Sequence, residues 1–247
     1  MKMLKKAYVF LQGFLLVNLL WLVASLIMNT NVIPSPLLVY KNFSNIINNG
    51  VLFHVFYSLK RVGLGLLFST AVGLFVGILM AVSDRWNKIL NPIVYFSYPI
   101  PKTALLPIAM ILLGMRDGSK VLIMFLIMVF QIIVAVRDAV LKIDDTMYQV
   151  LICSGANKLQ ILKHVIIPAM LPDLFTSIRI SLGTAVSVLF FVEGYGTKYG
   201  MGYYIVNAWS RINYIDMYAG IIVISVVGFL LFALVDLISG YVCKWKN

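Results

Sequence analysis

Long apolar stretches alternate with short polar ones along this chain of 247 residues. A transmembrane helix needs about 20 mainly apolar residues, and six stretches approach that length. They are predicted to cross the membrane at roughly 7–28, 59–82, 101–115, 121–136, 173–192 and 217–240. The predicted fold is therefore all-α: a polytopic membrane protein with six transmembrane helices in a single domain, 1–247, whose core lies at about 55–240.

The first apolar stretch has two readings. Lys2, Lys5 and Lys6 precede it, as in a secretory signal peptide, but the apolar region of such a peptide has only about 7–15 residues. No charged residue occurs from position 7 to position 40, and the segment Val23-Ala24-Ser25 is a poor cleavage site. We therefore favour a retained first transmembrane helix over a cleaved signal peptide.

Two further apolar stretches are distinguished by their glycine and proline residues. The second contains the spacing Gly73-x-x-x-Gly77, which allows two membrane helices to approach closely. The third is interrupted by Lys102 and by several prolines. A broken helix is tolerated inside a bilayer only where it packs against protein or lines a cavity, so this part of the chain is expected to do one or the other.

Composition and charge agree with a membrane protein. Hydrophobic residues make up 62% of the chain and charged residues 12%, whereas a soluble domain has about 25% charged residues. The net charge of +11 lies in clusters between the apolar runs, which indicates a positive-inside bias instead of nucleic-acid binding. With both termini in the cytoplasm, thirteen of the 20 basic residues, Lys102 among them, fall on the inner side. This predicts a multi-pass protein of the cytoplasmic (inner) membrane.

Metal and nucleotide chemistry find no support in the sequence. Cys153 and Cys243 are far apart, and neither His54 nor His164 has a carboxylate or cysteine at metal-ligand spacing. Each histidine is therefore expected to be an interfacial or packing residue. The phosphate-binding pattern GxxxxGK[ST] is absent, and the glycines of 194–202 follow a membrane helix, as in an outer loop. The chain is therefore predicted to be no enzyme and to bind no cofactor or metal.

The longest polar interruption, 137–172, is predicted to form a compact knob. A short helix is expected from Asp144 to Ser154, ended by Gly155, because glycine readily adopts the positive φ of a helix C-terminus. A second short helix is expected from Asn157 to Ile167, with the two following prolines stiffening the entry into the fifth apolar stretch. Such a knob fits the groove of a partner protein; an amphipathic hairpin resting on lipid is the alternative.

The spacing within this knob resembles the coupling loop of importer permeases of the ATP-binding-cassette (ABC) class. In that family the pattern reads Glu-Ala-Ala, three residues, Gly, nine residues, Ile, one residue and Leu-Pro. Gly155, Val165 and Ile167-Pro168 stand in register with it, and Gln149-Val150-Leu151 replaces Glu-Ala-Ala. The resemblance implies that the ATPase-coupling residues are Gln149, Val150, Leu151, Gly155, Ala156, Val165 and Pro168.

The resemblance covers nearly the whole chain and is to the nitrate, sulfonate and taurine branch of these permeases. It depends on the shared order of many short motifs rather than on any single one. These are Ile33-Pro34-Ser35-Pro36, His54, Ser58-Leu59, Arg61, Ile100-Pro101, Ala104, Pro107, Gly114, Pro168-Ala169, Leu171-Pro172, Arg179, Gly183, Glu193, Gly200 and Gly202. The implied fold is that of a type I ABC importer permease with cytoplasmic coupling helices.

The same resemblance implies a set of partners. They are two cytoplasmic ATP-binding subunits that carry ATP and magnesium, a second permease copy or a paralogue, an extracytoplasmic substrate-binding protein and the lipid membrane. The implied function is ATP-driven import of a small solute of the nitrate, sulfonate, taurine or vitamin-precursor kind. The residues do not identify the solute or distinguish a homodimer from a heterodimer.

One departure from the family pattern concerns Gln149. Glutamate at this position commonly attaches the loop to the ATPase through its charge, and glutamine keeps only the hydrogen-bonding capacity. Loss of the charge forfeits part of an interaction worth about 1.5–3 kcal/mol. Asp144 or Asp145 could compensate; otherwise the ATPase itself is divergent.

Two ionisable residues are candidates for the translocation path, since such groups within membranes are costly and often functional. Glu193 lies at the outer end of the fifth stretch, and Arg179 lies one or two turns in from its cytoplasmic end. An interfacial position would also satisfy Glu193, and snorkelling would satisfy Arg179. Lys60 and Arg61 are expected to anchor the outer end of the second stretch or to meet the binding protein.

Two other functional classes remain open at this point. An ion-coupled secondary transporter would need buried ionisable groups, and none occurs in the interior of the first, second or fourth apolar stretch. A membrane-embedded hydrolase would need a nucleophile or a metal set near Asp144-Asp145, and none is present. Copurification with an ATPase distinguishes the permease from both.

Overall fold

The computed structural model describes residues 2–48 and 50–246, with side chains for 12–48 and 50–245. The side chains of Lys2, Lys5 and Lys6, which enter the predicted orientation, lie outside the described residues. Within the described part, twelve α-helices make up almost the whole chain. They are α1 (Lys2–Met28), α2 (Pro36–Lys41), α3 (Phe43–Asn48), α4 (Val51–Val82), α5 (Asp84–Ser97), α6 (Leu106–Leu113), α7 (Asp117–Leu141), α8 (Asp145–Cys153), α9 (Lys158–Ile161), α10 (Ile167–Glu193), α11 (Met201–Ser210) and α12 (Tyr214–Val242).

Three short helical turns of other types join or follow these elements. A 3₁₀ turn, Lys102–Leu105, leads into α6. A π-helical turn, Leu162–Ile166, joins α9 to α10 without a break, so a single helical run extends over Lys158–Glu193. A last 3₁₀ turn, Lys244–Lys246, follows α12. The predicted all-α fold is confirmed.

Four helical runs are long and apolar enough to span a membrane: α4, α7, α9–α10 and α12. A fifth span is formed if α5 and the helix from Lys102 to Leu113 count together, although they are bent by 87°. The described apolar part of α1, Gln12–Met28, is shorter than a full span. By length and composition the described residues therefore contain four or five spans, and the predicted number of six is not reached.

Helix α7 is the centre of the bundle. In its most apolar stretch 56% of the residues are buried, compared with 11% in α12. Helix α4 packs on one side of α7 and α10 on another. Because α12 is apolar all round yet mostly exposed, its outer surface is suited to lipid.

The contact between α4 and α7 depends on glycines that face bulky side chains. A Cβ on Gly73 would lie 2.5 Å from Cγ2 of Ile132, and a Cβ on Gly77 would lie 2.8 Å from Cβ of Val136. Both are closer than van der Waals contact allows. The spacing Gly73-x-x-x-Gly77 therefore brings two backbones together, as small residues do in membrane helix pairs.

Hydroxyl groups connect α10 to α7 inside the bundle. Ser181 Oγ donates to Gln131 Oε1 at 2.8 Å, and Ser177 Oγ donates to the Gln131 carbonyl at 3.3 Å. Both serines are buried. In a membrane interior these polar atoms have no water to bond, so they bond to each other across the helix pair.

The first three helices lie against α12. The rings of Trp21 and Tyr218 stack with centroids 5.3 Å apart, and Asn42 Nδ2 donates to Asp216 Oδ1 at 2.9 Å. Between α1 and α4 the chain forms two short helices, α2 and α3. The side chain of Ser35 caps α2 by accepting from the Leu38 backbone.

The structure differs from the sequence-based expectation at two proline-containing places. Helix α5 was not predicted, and it contains Pro92. The second helix of the knob does not stop near Ile167 but continues through Pro168 and Pro172 into α10. A proline ring normally clashes with the carbonyl four residues earlier; the wide π turn just before Pro168 relieves that clash, as π turns do within helices.

We expect Gly77→Ala to destabilise the protein by about 1–3 kcal/mol, because the new methyl overpacks the α4–α7 contact. The matched control is Gly63→Ala on the same helix, where a Cβ meets nothing within 4 Å. Thermal unfolding in detergent, followed by intrinsic fluorescence, should show a Tm about 2–10 °C lower for Gly77→Ala alone. Equal Tm values for the two variants would contradict the close packing.

Candidate functional site

A buried ion pair joins the start of α4 to the end of α10. Arg61 is 2% exposed and Glu193 is 0% exposed, and Arg61 Nη1 lies 2.6 Å from Glu193 Oε1. A second edge of the guanidinium binds Asp117, the first residue of α7. Its Nη2 and Nε donate to Asp117 Oδ1 at 2.8 Å and 2.9 Å. A charge withdrawn from water needs such a partner. We call Ser58, Arg61, Asp117 and Glu193 the ion cluster.

The second carboxylate oxygen of Glu193 holds the beginning of α11. Oε2 accepts from Ser58 Oγ at 2.7 Å and from the Gly202 backbone at 3.0 Å. Ser58 Oγ in turn accepts from the Met201 backbone at 2.8 Å. A Cβ on Gly202 would come within 3.0 Å of Glu193 and of the α10 backbone, so the close approach requires glycine there.

The loop between α10 and α11, residues 194–200, lies over the ion cluster. Arg61 donates to the Tyr199 carbonyl at 2.8 Å and to Thr197 Oγ1 at 3.0 Å. The fully buried Lys120 Nζ donates to the Gly196 carbonyl at 2.9 Å. Cationic side chains from α4 and α7 therefore hold this loop across one end of the bundle.

Aromatic rings complete the cover at this end. Tyr199 stacks on Tyr57, with ring centroids 5.1 Å apart, and His54 stacks on Tyr203 at 6.0 Å. The His54 ring also reaches the backbone of Gly200, with Nδ1 3.2 Å from the Gly200 nitrogen. His54 thus fulfils the packing role expected for it from the sequence.

The knob lies at the opposite end of the bundle, where α7 ends and α10 begins. Asp144 caps α8 by accepting from the Thr146 hydroxyl at 2.5 Å and from the Thr146 backbone at 2.8 Å. These two hydrogen bonds hold the pKa of the Asp144 carboxyl below its usual range. Asn157 and Gln160 form a capping box at the start of α9. Both short helices therefore begin with their own side-chain caps.

Gly155 makes the turn between α8 and α9. Its φ is +76°, and the backbone nitrogens of Gly155 and Ala156 donate to the carbonyls of Ile152 and Leu151, each at 3.0 Å. This is the Schellman hydrogen-bond pattern, which needs a residue in the left-handed region. The predicted end of the first helix at Gly155 is confirmed, and its neighbours Leu151 and Ala156 are part of the same turn.

The knob exposes apolar side chains to solvent. Met147, Val150 and Leu159 are 56%, 61% and 74% exposed. On the inner side, Tyr148 and Ile161 pack against the hydrophobic core, and burial raises the pKa of the Tyr148 phenol. A small helical element fixed by its inner face, with apolar groups on its outer face, has the character of a protein-docking surface.

The predicted coupling residues fall into two groups. The first lies on the α8–Gly155 turn, where Gln149, Val150 and Gly155 are exposed and Leu151 and Ala156 are half-buried. The second, consisting of Val165 and Pro168, lies half-buried on the run from α9 into α10. The structure brings the first group together on the knob and places the second on the helix that connects the knob to the membrane. Their contact with an ATPase stays a prediction.

The two candidates for the translocation path lie far apart on α10. Glu193 is enclosed in the ion cluster. Arg179 is 53% exposed, with its Nη1 3.1 Å from Asp236 Oδ1 on α12. The fourteen residues between them correspond to about 21 Å of helix. A role in solute passage stays a prediction for both.

Sequence reasoning did not find the contributions of Asp117 and Lys120. Both residues lie in the first turn of α7, directly after its N-cap Arg116. The sequence offered one indication of the ion cluster. Arg61, Asp117 and Glu193 are ionisable residues that lie at or near the ends of three separate apolar stretches. Which charges pair follows only from how the helices pack.

Comparisons with known proteins cover most of the chain. The family described as "Binding-protein-dependent transport system inner membrane component" matches residues 73–245. The "Putative aliphatic sulfonates transport permease protein SsuC" of Bacillus subtilis (strain 168) is 31% identical over 98% of this chain and 90% of its own length. The "Taurine transport system permease protein TauC" of Escherichia coli (strain K12) is 32% identical over 72% of this chain and 65% of its own length.

Solved structures show the same fold. A chain from the inward-facing MetNI methionine ABC transporter superposes with a TM-score of 0.68 at 22% identity, covering 78% of this chain and 95% of that one. At this level of identity the similarity concerns the fold alone. The described helices therefore have the arrangement of a solved membrane transporter chain.

Removing one partner of the buried pair should be far costlier than removing one partner of the exposed pair. We expect Glu193→Gln to cost about 3–5 kcal/mol, because Arg61 stays buried without one of its counter-charges. The control Arg179→Gln breaks the half-exposed pair with Asp236 and should cost only about 0–1 kcal/mol. Thermal unfolding in detergent measures both, and similar losses would contradict a structural role for the ion cluster.

Proposed function

The chain belongs to the family of binding-protein-dependent transport system inner membrane components, and from this premise we propose how its parts carry out transport. It is the membrane-spanning permease of an ABC importer, a multi-pass protein of the inner membrane. The resemblance seen in the sequence is thereby confirmed, and the secondary-transporter alternative is set aside. The proposals that follow concern partners, coupling, orientation and solute.

The knob, composed of α8, Gly155 and α9, is the docking site for a cytoplasmic ATP-binding subunit. The single observation that carries this proposal is the exposure of Met147, Val150 and Leu159 on a turn that is itself tightly hydrogen-bonded. A rigid shape with an apolar surface can fit a groove on a partner with little loss of conformational entropy. The coupling residues are Gln149, Val150, Leu151, Gly155, Ala156, Val165 and Pro168.

ATP and magnesium belong to that partner, which also performs the hydrolysis. Two copies of it would serve a pair of permease chains, either two copies of this chain or this chain and a paralogue. Gln149, in the second turn of α8, replaces the family's glutamate and carries no charge. The acidic residue within α8 is Asp145, which lies in its first turn and is exposed. The groove on the partner is therefore expected to depend more on apolar contact than on charge at this position.

The uninterrupted helical run from Lys158 to Glu193 carries motion from the knob to the far end of the bundle. It begins beside Gly155 and ends in the ion cluster with Glu193. A continuous helix transmits a displacement along its axis better than a loop would, because its backbone hydrogen bonds resist bending. Closure of the ATPase pair would therefore shift the element that carries the 194–200 loop.

The end of the bundle with the ion cluster faces the outside, and both termini face the cytoplasm. The positive-inside bias supports this orientation. On this reading the 194–200 loop and the half-exposed side chain of Lys60 meet an extracytoplasmic substrate-binding protein. Glu193 then acts by holding the loop over the outer end of the path, while Arg179 lies nearer the cytoplasmic entrance.

The solute is a small molecule of the nitrate, sulfonate or taurine kind. Relatives of this chain are named for aliphatic sulfonates and for taurine, and these names support the proposal. A vitamin precursor is the second candidate from the sequence resemblance. Uptake measured with the matching binding protein would choose between these solutes.

We expect Gly155→Ala to weaken copurification of the ATP-binding subunit severalfold. The methyl has free space around it, but φ of +76° costs an alanine about 1–2 kcal/mol, so the turn changes shape. Affinity purification in mild detergent with quantitative mass spectrometry measures the loss. Gly240→Ala in α12, where a Cβ also meets nothing within 4 Å, should leave the ATPase bound. Equal capture by both variants would contradict the docking role of the knob.

A native cysteine tests the orientation without any new reporter. Cys153 is exposed on the knob and Cys243 is buried. A membrane-impermeant maleimide should therefore label the protein in inverted membrane vesicles but not in intact cells, and Cys153→Ser should abolish the signal. Labelling of Cys153 from outside intact cells would place the knob on the wrong side for a cytoplasmic ATPase.

A further inference from the structure

A sharp elbow interrupts the third apolar stretch. Helix α5 and the helix beginning at Lys102 are bent by 87°. Lys102 is the first residue after the bend and is half-buried. Because a broken helix survives in a bilayer only against protein or beside a cavity, the surroundings of this lysine indicate what the elbow is for.

The Lys102 ammonium lies at the middle depth of the bundle. Its Nζ is 5.2 Å from the centre of the Phe130 ring, and Phe130 is near the midpoint of α7, which has 25 residues. The sequence had suggested that Lys102 belongs to the inner surface. The structure instead places it beside the centre of the most buried helix, a costly position for a charge unless it has a function.

The local bonding does not neutralise this charge. Lys102 Nζ donates to the carbonyls of Ser97 and Tyr98 at 2.6 Å and 2.7 Å. These carbonyls end α5 and supply the partial negative charge of a helix C-terminus. Among the side chains that the structure describes, no carboxylate lies within ion-pair distance of Lys102. Arg61, by contrast, has two carboxylates.

Lys102 borders a small cavity of mixed lining. The cavity has a volume of about 270 Å³; Thr103, Gln131 and Thr184 line it together with apolar side chains such as Ile127 and Phe130. The Thr184 hydroxyl donates to the Ile180 carbonyl at 3.1 Å, whereas the Thr103 hydroxyl and the Gln131 amide can donate hydrogen bonds to a ligand. With a cation at its edge and these two donors in its lining, the cavity suits a small anion.

A second cavity lies toward the knob end of the bundle. It has a volume of about 340 Å³, shares Tyr98 and Gln131 with the first cavity, and extends to Asp138, Lys142 and Asp173 near the knob end of α7 and α10. The two cavities therefore neighbour each other between the knob end and the middle of the bundle. At the other end, the 194–200 loop and the ion cluster cover the bundle.

We propose that the Lys102 cavity is an anion-binding station on the solute path, and that the transported solute carries a negative charge past it. The inference rests on the proposed transport function and narrows its solute to a small anion. Lys102 is the charge-selecting residue, and Thr103 and Gln131 provide the neighbouring hydrogen-bond donors. A bound anion would supply the counter-charge that the described side chains lack.

Charged thiol reagents test this charge selection without knowledge of the solute. The probe is Thr184→Cys in the full chain with Cys153→Ser and Cys243→Ser, solubilised in mild detergent. The introduced thiol is modified separately by an anionic and by a cationic methanethiosulfonate. The ratio of the two rates reports the electrostatic potential at that thiol. We expect Lys102→Gln to lower the anionic-to-cationic ratio by at least about fivefold, the size expected for a unit charge a few ångströms away.

Three controls define the result. Lys102→Arg keeps the charge and should keep the ratio, while Lys198→Gln removes an exposed cation elsewhere and should not change it. Methanesulfonate should slow the modification of the introduced thiol in the presence of Lys102, whereas the neutral isostere dimethyl sulfone should not. In the Lys102→Gln background the protection by methanesulfonate should disappear.

The opposite outcomes are equally clear. A ratio that does not change in Lys102→Gln, or equal protection by both sulfur compounds, shows that Lys102 only caps α5 and overturns the proposal. Failure of both reagents to reach the introduced thiol shows a dry cavity and overturns it as well. These results do not depend on copurification of the ATPase. If the wild-type chain captures the ATPase but the anionic-to-cationic ratio does not change in Lys102→Gln, only the anion-binding proposal is wrong.

If the ratio changes as expected but the wild-type chain captures no ATPase, only the coupling proposal is wrong.

Discussion

The buried contact between Arg61 and Glu193 is the interaction on which the arrangement of this protein depends most. Both side chains are withdrawn from water, so neither charge is tolerable without the other. Through Asp117 and Ser58 the pair also reaches the start of α7 and the backbone of α11. Four elements, α4, α7, α10 and α11, are therefore positioned by a few charge-assisted hydrogen bonds, and the loop over the end of the bundle is held by the same groups.

A second constraint connects this end of the molecule to the other. The helical run from Lys158 to Glu193 has no break, because a π turn accommodates Pro168. One end of the run adjoins the knob with its exposed apolar side chains, and the other end supplies Glu193 to the ion cluster. The knob and the covered end of the bundle are thus joined by one continuous helical run, which is a simple physical basis for the coupling proposed above.

Much of this could be predicted from residue patterns, and the failures have identifiable causes. The apolar runs at α4, α7, α10 and α12 are longer than the apolar stretches of helices in soluble proteins. Their positions as helices could therefore be predicted from the sequence. Gly155 was readable as well, since few other residues fit its backbone conformation. Helix α5 was missed because this amphipathic segment contains Pro92 and is followed by Pro99 and Pro101. The second helix of the knob was predicted to end near Ile167 because proline usually stops a helix. The π turn that lets the helix continue through Pro168 cannot be read from the order of residues.

The sequence by itself determined the class of protein, the approximate spans, the knob and the family resemblance, because these depend on local composition and spacing. The tertiary structure alone decided which charges pair and which stay without a carboxylate partner. Arg61, Lys102 and Lys120 are all basic residues in or beside apolar stretches. Arg61 is paired with carboxylates, Lys102 borders a cavity at mid-depth, and Lys120 holds a loop carbonyl. That distinction depends on distances between helices, which the order of residues does not contain.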